Sequence, residues 1–240
     1  MIPARIGSTR LKLKNLALLN GRPLIAYAII AAQQAGVFDR IVINSDSAVF
    51  QTIAERYGVE FYKRPEHLGS STTKSDDVVL DFMQNHSSEV VVWVNPISPL
   101  QTGNEIKQVV DYFQKEQLDS LITVKDEQVH CIHQGEPVNF KKTGKFEQTQ
   151  DLKPVHSFVY SIMMWNVETF VKEMNHYGHA FFSGKVGYYR VNKWSSIIIK
   201  TDQDFKLASY ALKAIEAGDI ELEYDDLTLR ELKSKEKYYE

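Results

Sequence analysis

The chain has 240 residues, 43% hydrophobic and 25% charged, with a net charge of −3, enough apolar content for one full core. Its longest apolar run, residues 24–32, falls far short of the roughly 20 residues a membrane span needs, and no signal-like segment precedes the basic opening. A lone cysteine, Cys131, cannot form an intrachain disulfide, which suits a reducing cytoplasm, and the mild acidity excludes the broad basic face of a nucleic-acid binder.

The first sixteen residues, MIPARIGSTRLKLKNL, are a positive island on this acidic chain. A short apolar start runs into Arg5, then Gly7-Ser8-Thr9, then Arg10, Lys12 and Lys14, and no acidic residue appears before Asp39. Small residues leaving a strand can aim several backbone N–H groups at one place, which suits a phosphate. Flanking cations then neutralise the remaining charge of a polyphosphate. A solvated basic loop is the plainer alternative.

Downstream, residues 23–35 read as a helix opened by proline and closed by Gly36. Residues 40–44 form a short strand, 48–57 a helix and 59–63 a strand. Residues 76–85 have helical spacing with aspartates at the start, where the helix dipole favours them. The nearly all-valine run 90–94 predicts a strand covered on both faces. A helix over 105–117 and a strand over 120–125 follow. Residues 126–153 are polar and turn-rich, an excursion from the sheet. Strands are then expected over 156–165, 186–191 and 195–200, and helices over 167–175 and 201–217, the last with capping-box spacing between Thr201 and Asp204. The alternation predicts an α/β fold of three layers, with a mostly parallel sheet between helices. Ligands then belong beyond the carboxyl ends of the strands. Residues 1–220 form the single domain and 221–240 a charged tail.

The order I-P-A-R-x-G-S-x-R-L-x-x-K-N-L resembles the opening signature of the CMP-sialic acid synthetase (acylneuraminate cytidylyltransferase) family. Arg5, Gly7, Ser8, Arg10, Lys14 and Asn15 carry the match. Members usually have several apolar residues before this signature, and only Met1 precedes Ile2 here, so a shortened first strand is expected. A second match is Arg64-Pro-Glu-His-Leu68 through Ser75, and a third is Asn95-Pro-Ile-Ser-Pro-Leu-Gln101.

The resemblance implies a nucleotide-diphospho-sugar transferase fold. It also implies CMP transfer from CTP to an acidic, sialic acid-like keto-sugar with pyrophosphate release, serving glycan or lipopolysaccharide synthesis. Arg5, Arg10 and Lys14 would act on the triphosphate together with Ser8. Asn15, Arg64 and Ser75 would hold the cytidine, and Asn95 and Gln101 the sugar. Residues 126–165 would form a dimerisation arm, making the partners CTP, the sugar and a second copy of the chain.

Mg2+ is the cofactor this family uses, held by an Asp-x-Asp motif that aligns here on Ile198 and Lys200. An isoleucine cannot bind the ion and an ammonium group repels it. Asp46, Asp202 and Asp204 are the carboxylates left nearby, the last two with a simpler role at a helix start. Two further readings therefore stay open: a nucleotide- or sugar-binding relative with impaired catalysis, and a nucleotidyltransferase of different base or sugar. His130-Cys131-x-His133 offers three ligand types, but no second pair at zinc spacing follows.

Overall fold

The computed structural model describes residues 1–218 and 221–236. In chain order its elements are β1 (Ile2–Ala4), β2 (Leu18–Leu19), β3 (Arg22–Pro23), α1 (Leu24–Ala35), β4 (Val42–Ser45), α2 (Val49–Tyr57), β5 (Glu60–Lys63), α3 (Ser75–Asn85) and β6 (Val90–Val94). Then come α4 (Gly103–Lys115), β7 (Ser120–Glu127), β8 (Ile132–His133), β9 (Glu136–Pro137), β10 (Val155–Asn166), α5 (Val167–Tyr177), β11 (Val186–Arg190), α6 (Asp202–Ala217) and α7 (Asp226–Glu236).

Strands β1, β4 and β5 pair in parallel, and β6, β10, β7 and β11 form a second ladder. Met1 joins the two. Its nitrogen donates to the Val92 carbonyl at 2.8 Å, and its carbonyl accepts from Val94 N at 3.0 Å. One twisted sheet results, in the order β5-β4-β1-β6-β10-β7-β11. β1 spans three residues. Most neighbours run parallel, but β10 runs antiparallel to both β6 and β7.

Helices cover both faces, as the valine-rich β6 requires. On one side α1 and α4 pack on Ile2, Ile43, Val92 and Leu121. On the other, α3 and α5 pack on Val42, Val91, Met163 and Trp165. Withdrawing each large apolar side chain from water stabilises the fold by about 1.5–3 kcal/mol. α1 is buried at Leu24, Ile25, Ala26, Ala28, Ile29, Ala31 and Ala32, and Gly36 ends it at φ 63°, a left-handed conformation that costs glycine little.

Residues 195–200 depart from expectation: 193–196 turn and the rest runs without strand pairing. Their isoleucines are apolar for another reason. Ile197 and Ile199 pack with Leu19, Leu24 and Ala208 in a small third cluster under α6. Residues 128–154 are the excursion, mostly exposed and carrying the short β8–β9 hairpin, whereas 155–165 lie in the central sheet. Residues 219–220 and 237–240 of the chain's end lie outside the described residues; between them α7 is an exposed helix over its first turns.

Candidate functional site

Beyond Ala4 the chain leaves the sheet at the carboxyl end of β1. Asp46, just after β4, fastens this exit: its carboxylate accepts from Ile6 N at 3.2 Å and lies 3.9 Å from the Arg64 guanidinium. Gly69 packs on the same carboxylate so closely that any side chain there would collide with it. Asp46 thus ties the loop after β1 to the loop after β5. The chain then reverses at Leu13, whose φ of 51° is unusual for a residue with a side chain. A single 3₁₀ turn, Lys14–Leu16, follows. It buries Asn15 and sends the Lys14 Nζ to the Ile199 carbonyl, 3.1 Å away.

These loops enclose a cavity of about 340 Å³ at the carboxyl ends of β1, β5 and β6. Of the residues expected at a site, Arg5, Ser8, Arg10, Lys14, Asn15, Arg64, Ser75 and Asn95 line it together. Lys74, Trp93 and Lys200 line it too, and the sequence had not pointed to Lys74 or Trp93. Both sit in stretches without a distinctive pattern: a polar Ser-Thr-Lys loop, and a strand whose apolar residues read as core. Trp93 Nε1 and Arg64 Nε are buried without a protein partner, which leaves two donors for a ligand.

The electrostatics are one-sided. Arg5, Arg10, Lys14, Arg64, Lys74 and Lys200 face the cavity, with no carboxylate among the described lining residues. Burial, then Arg10, Arg5 and Lys200, push the Lys14 ammonium down to about 8. Arg64 is buried, its Nη1 donating to the Asn44 carbonyl at 3.0 Å. Such a cavity is suited to a polyanion.

Gln101 does not line the cavity. It is buried and donates through Nε2 to Glu105, a buried carboxylate on α4. Glu105 also accepts from Asn192 N at 2.6 Å and from the Ser195 hydroxyl, while Ser98 donates to the Ser195 carbonyl. Glu105 is therefore the hub that holds residues 192–195 against the loop after β6. Thr102, three residues before it, caps α4 by accepting from Glu105 N at 3.2 Å. The Thr-x-x-Glu spacing is visible in the sequence, but it suggests local capping; nothing local reveals the distant partners of the carboxylate.

The donor set does not fit Mg2+. Asp46 is engaged as described. Asp202 pairs with Lys206 at 2.7 Å. Asp204 completes the expected capping box with Thr201 and also accepts from Lys200 N at 2.9 Å. Burial pushes its carboxyl up, but these donors outweigh it and hold it below the usual range. None of the three lines the cavity. Ile198 brings no donor, and Lys200 brings a positive charge where a hard dication needs anionic oxygen. Among the described residues, no three His, Cys, Asp or Glu side chains are grouped to hold a metal; His130 instead stacks on Phe146. Among the same residues, no helix is long and apolar enough to cross a membrane.

The family profile described as cytidylyltransferase matches residues 1–226. An N-acylneuraminate cytidylyltransferase of Streptococcus agalactiae serotype V is 27% identical over 214 residues, covering 85% of this chain and 51% of that protein. The post-translational flagellin modification protein B of Campylobacter coli is 27% identical over 224 residues, covering 88% of this chain and 93% of that protein. A solved CMP:2-keto-3-deoxy-manno-octonic acid synthetase in complex with CTP shares the fold, with a TM-score of 0.62 at 12% identity over 90% of this chain and 97% of that one. The chain spans about half the length of the N-acylneuraminate cytidylyltransferases it matches.

Proposed function

The chain belongs to the cytidylyltransferase family, and from that premise we propose that it transfers CMP from CTP to an acidic keto-sugar of the sialic acid type. The anomeric hydroxyl attacks the α-phosphorus, the α–β phosphoanhydride bond breaks, and pyrophosphate leaves with its electron pair while the hydroxyl proton passes to solvent. The observation that carries this reading is the cation-lined cavity bordered by the loops after β1, β5 and β6. Arg5, Ser8, Arg10 and Lys14 receive the triphosphate. Asn15, Arg64 and Ser75 receive the cytidine, and the unpartnered Arg64 Nε is a donor for it. Asn95, where the loop after β6 meets the cavity, contacts the sugar; the engagement of Gln101 with Glu105 leaves it a supporting role behind that loop.

Pyrophosphate release measured with CTP, UTP, ATP and GTP over a panel of acidic keto-sugars tests this. Release with CTP and a nine-carbon acidic sugar is expected. Release with another nucleotide alone would point to a different nucleotidyltransferase.

A second reading has its own observation, the presence of Ile198 and Lys200 where the family places metal carboxylates. On that reading the chain binds CTP and transfers CMP slowly or not at all, so calorimetry detects nucleotide while the release assay stays silent. The excursion 128–154 favours a homodimer, because Val129, Ile132, Val138 and Phe146 are exposed on it. Light scattering at tens of micromolar (roughly where a standard-sized interface is formed) would show a monomer if the arm had no such role.

A further inference from the structure

The cavity's charge, set beside the placing of the carboxylates around it, carries an inference that rests on the nucleoside triphosphate reading above. We propose that Lys14 and Lys200 bind the phosphates directly, standing in for the charge of a divalent cation, so that triphosphate binding is independent of Mg2+.

Three observations converge. The first is the donor set: six cationic side chains and no carboxylate among the described lining residues. Neutral hydroxyl and amide oxygens from Ser8, Ser75, Asn15 and Asn95 do not offset the repulsion between a dication and those charges. The second is geometry. The bond from Lys14 Nζ to the Ile199 carbonyl brings this ammonium group against the residue preceding Lys200, and both lysines face the same cavity. They come from opposite ends of the chain, so the loop after β1 and the segment leading into α6 each supply one cation. The third is the engagement of the neighbouring carboxylates. Asp46 fastens the first loop, Asp202 pairs with Lys206, and Asp204 caps α6. Recruiting Asp46 or Asp204 to a metal would break contacts that hold the segments bordering the cavity, and Asp202 points to an exposed pair with Lys206.

The free cavity also holds its cations in mutual repulsion: beyond burial, Arg10, Arg5 and Lys200 depress the proton affinity of Lys14, and Asp204 offsets this only in part. A polyanion relieves this, whereas an added dication deepens it. Lysines replace the ion's charge in binding but not its effect on the acidity of a coordinated hydroxyl. The inference therefore concerns binding and stands whether or not transfer is fast.

The test is calorimetry on the full chain with CTP, and separately with inorganic tripolyphosphate, in excess EDTA and in millimolar Mg2+ (about the concentration at which Mg2+ engages nucleotide phosphates). Both ligands should bind in EDTA, with dissociation constants less than about tenfold weaker than in Mg2+. Lys200→Ala and Lys200→Gln should each weaken binding in EDTA by about tenfold or more, with melting curves checking that both variants are folded. Binding of both ligands that is tenfold or more weaker in EDTA, or lost there, overturns the proposal. So does a smaller loss in the folded Lys200 variants. Tripolyphosphate binding in EDTA without CTP binding would leave the proposal standing and remove the cytidine assignment instead.

Discussion

The loops after β1 and after β6 leave the same end of the sheet side by side, yet they treat their polar groups in opposite ways. The first keeps Arg5, Arg10 and Lys14 turned to the cavity and is anchored at few points, notably Ile6 N on Asp46 and Lys14 on Ile199. The second is closed on itself. Asn95 N donates to the Ser161 carbonyl at 2.8 Å and Gln101 N to the Ser98 carbonyl at 3.2 Å, while Ser98 and Gln101 are buried with Ser195 and Glu105. One loop holds its chemistry ready for a ligand. The other satisfies its groups within the protein and presents little beyond Asn95 and Ile97. A place at the strand ends makes a residue a neighbour of the site; only an uncommitted polar group makes it a participant.

If that contrast is right, the largest effect belongs to the hidden hub. Glu105→Ala removes the acceptor of Gln101, Ser195 and Asn192. It should cost about 3 kcal/mol or more of stability, because buried donors lose a charged partner. Urea unfolding would reveal it, and a loss below about 1 kcal/mol would mean that water replaces the carboxylate easily.

On the open loop the order reverses. Lys14→Ala should cost about 1.5–3 kcal/mol in CTP affinity, and Arg10→Ala a similar amount. Unchanged CTP binding in both variants would end the phosphate-cradle reading.

The pH dependence gives a smaller, signed effect. The Lys14 ammonium titrates at about 8 in the free protein, and a bound triphosphate raises that value. Affinity is therefore full below pH 8 and should fall as pH rises above it, with proton uptake on binding visible by calorimetry in two buffers. Stability without ligand moves the other way. The unfolded chain holds this proton up to about 10.5, so the Lys14 contribution to folding grows between pH 8 and 10.5. Parallel trends in the two measurements would contradict the assignment.

The smallest effects separate neighbours on the closed loop. Asn95→Ala should raise the KM for the sugar several-fold, about 0.5–1.5 kcal/mol, whereas Gln101→Ala should leave that KM within about twofold and lower stability instead. A large KM effect at Gln101 would move it back to the site.

Much of this was readable in the residues. The valines of β6, the start and stop of α1 and the Thr201–Asp204 cap each follow from local chemistry, and all three formed. That the basic opening gathers its cations at one site is legible because its charge pattern is continuous in sequence, and Arg5, Arg10 and Lys14 do line one cavity. What was not readable depends on distant partners. The isoleucines at 197–199 have the composition of a strand, but Ile197 and Ile199 pack beneath α6 against Leu19 and Leu24, contacts no local window contains. Gln101 looked like a sugar ligand because only the fold shows Glu105 turned toward it. Lys74 escaped notice because a lone lysine in a polar loop gives no signal until α3 places it at the cavity.

The bond from Lys14 to Ile199 spans 185 positions of the chain, and this has a consequence for how the protein is made. During synthesis the basic loop precedes, by 185 positions, the carbonyl it meets in the segment that walls the cavity. Until residues 192–205 arrive, the lysine has no carbonyl to meet and the cavity lacks Lys200. Contacts of such long separation form late, after most of the loop-closure entropy has been lost. The cavity is therefore complete only on the finished domain. On the nucleotide reading proposed above, a bound triphosphate would by mass action stabilise that completed state over every shorter or partly folded one.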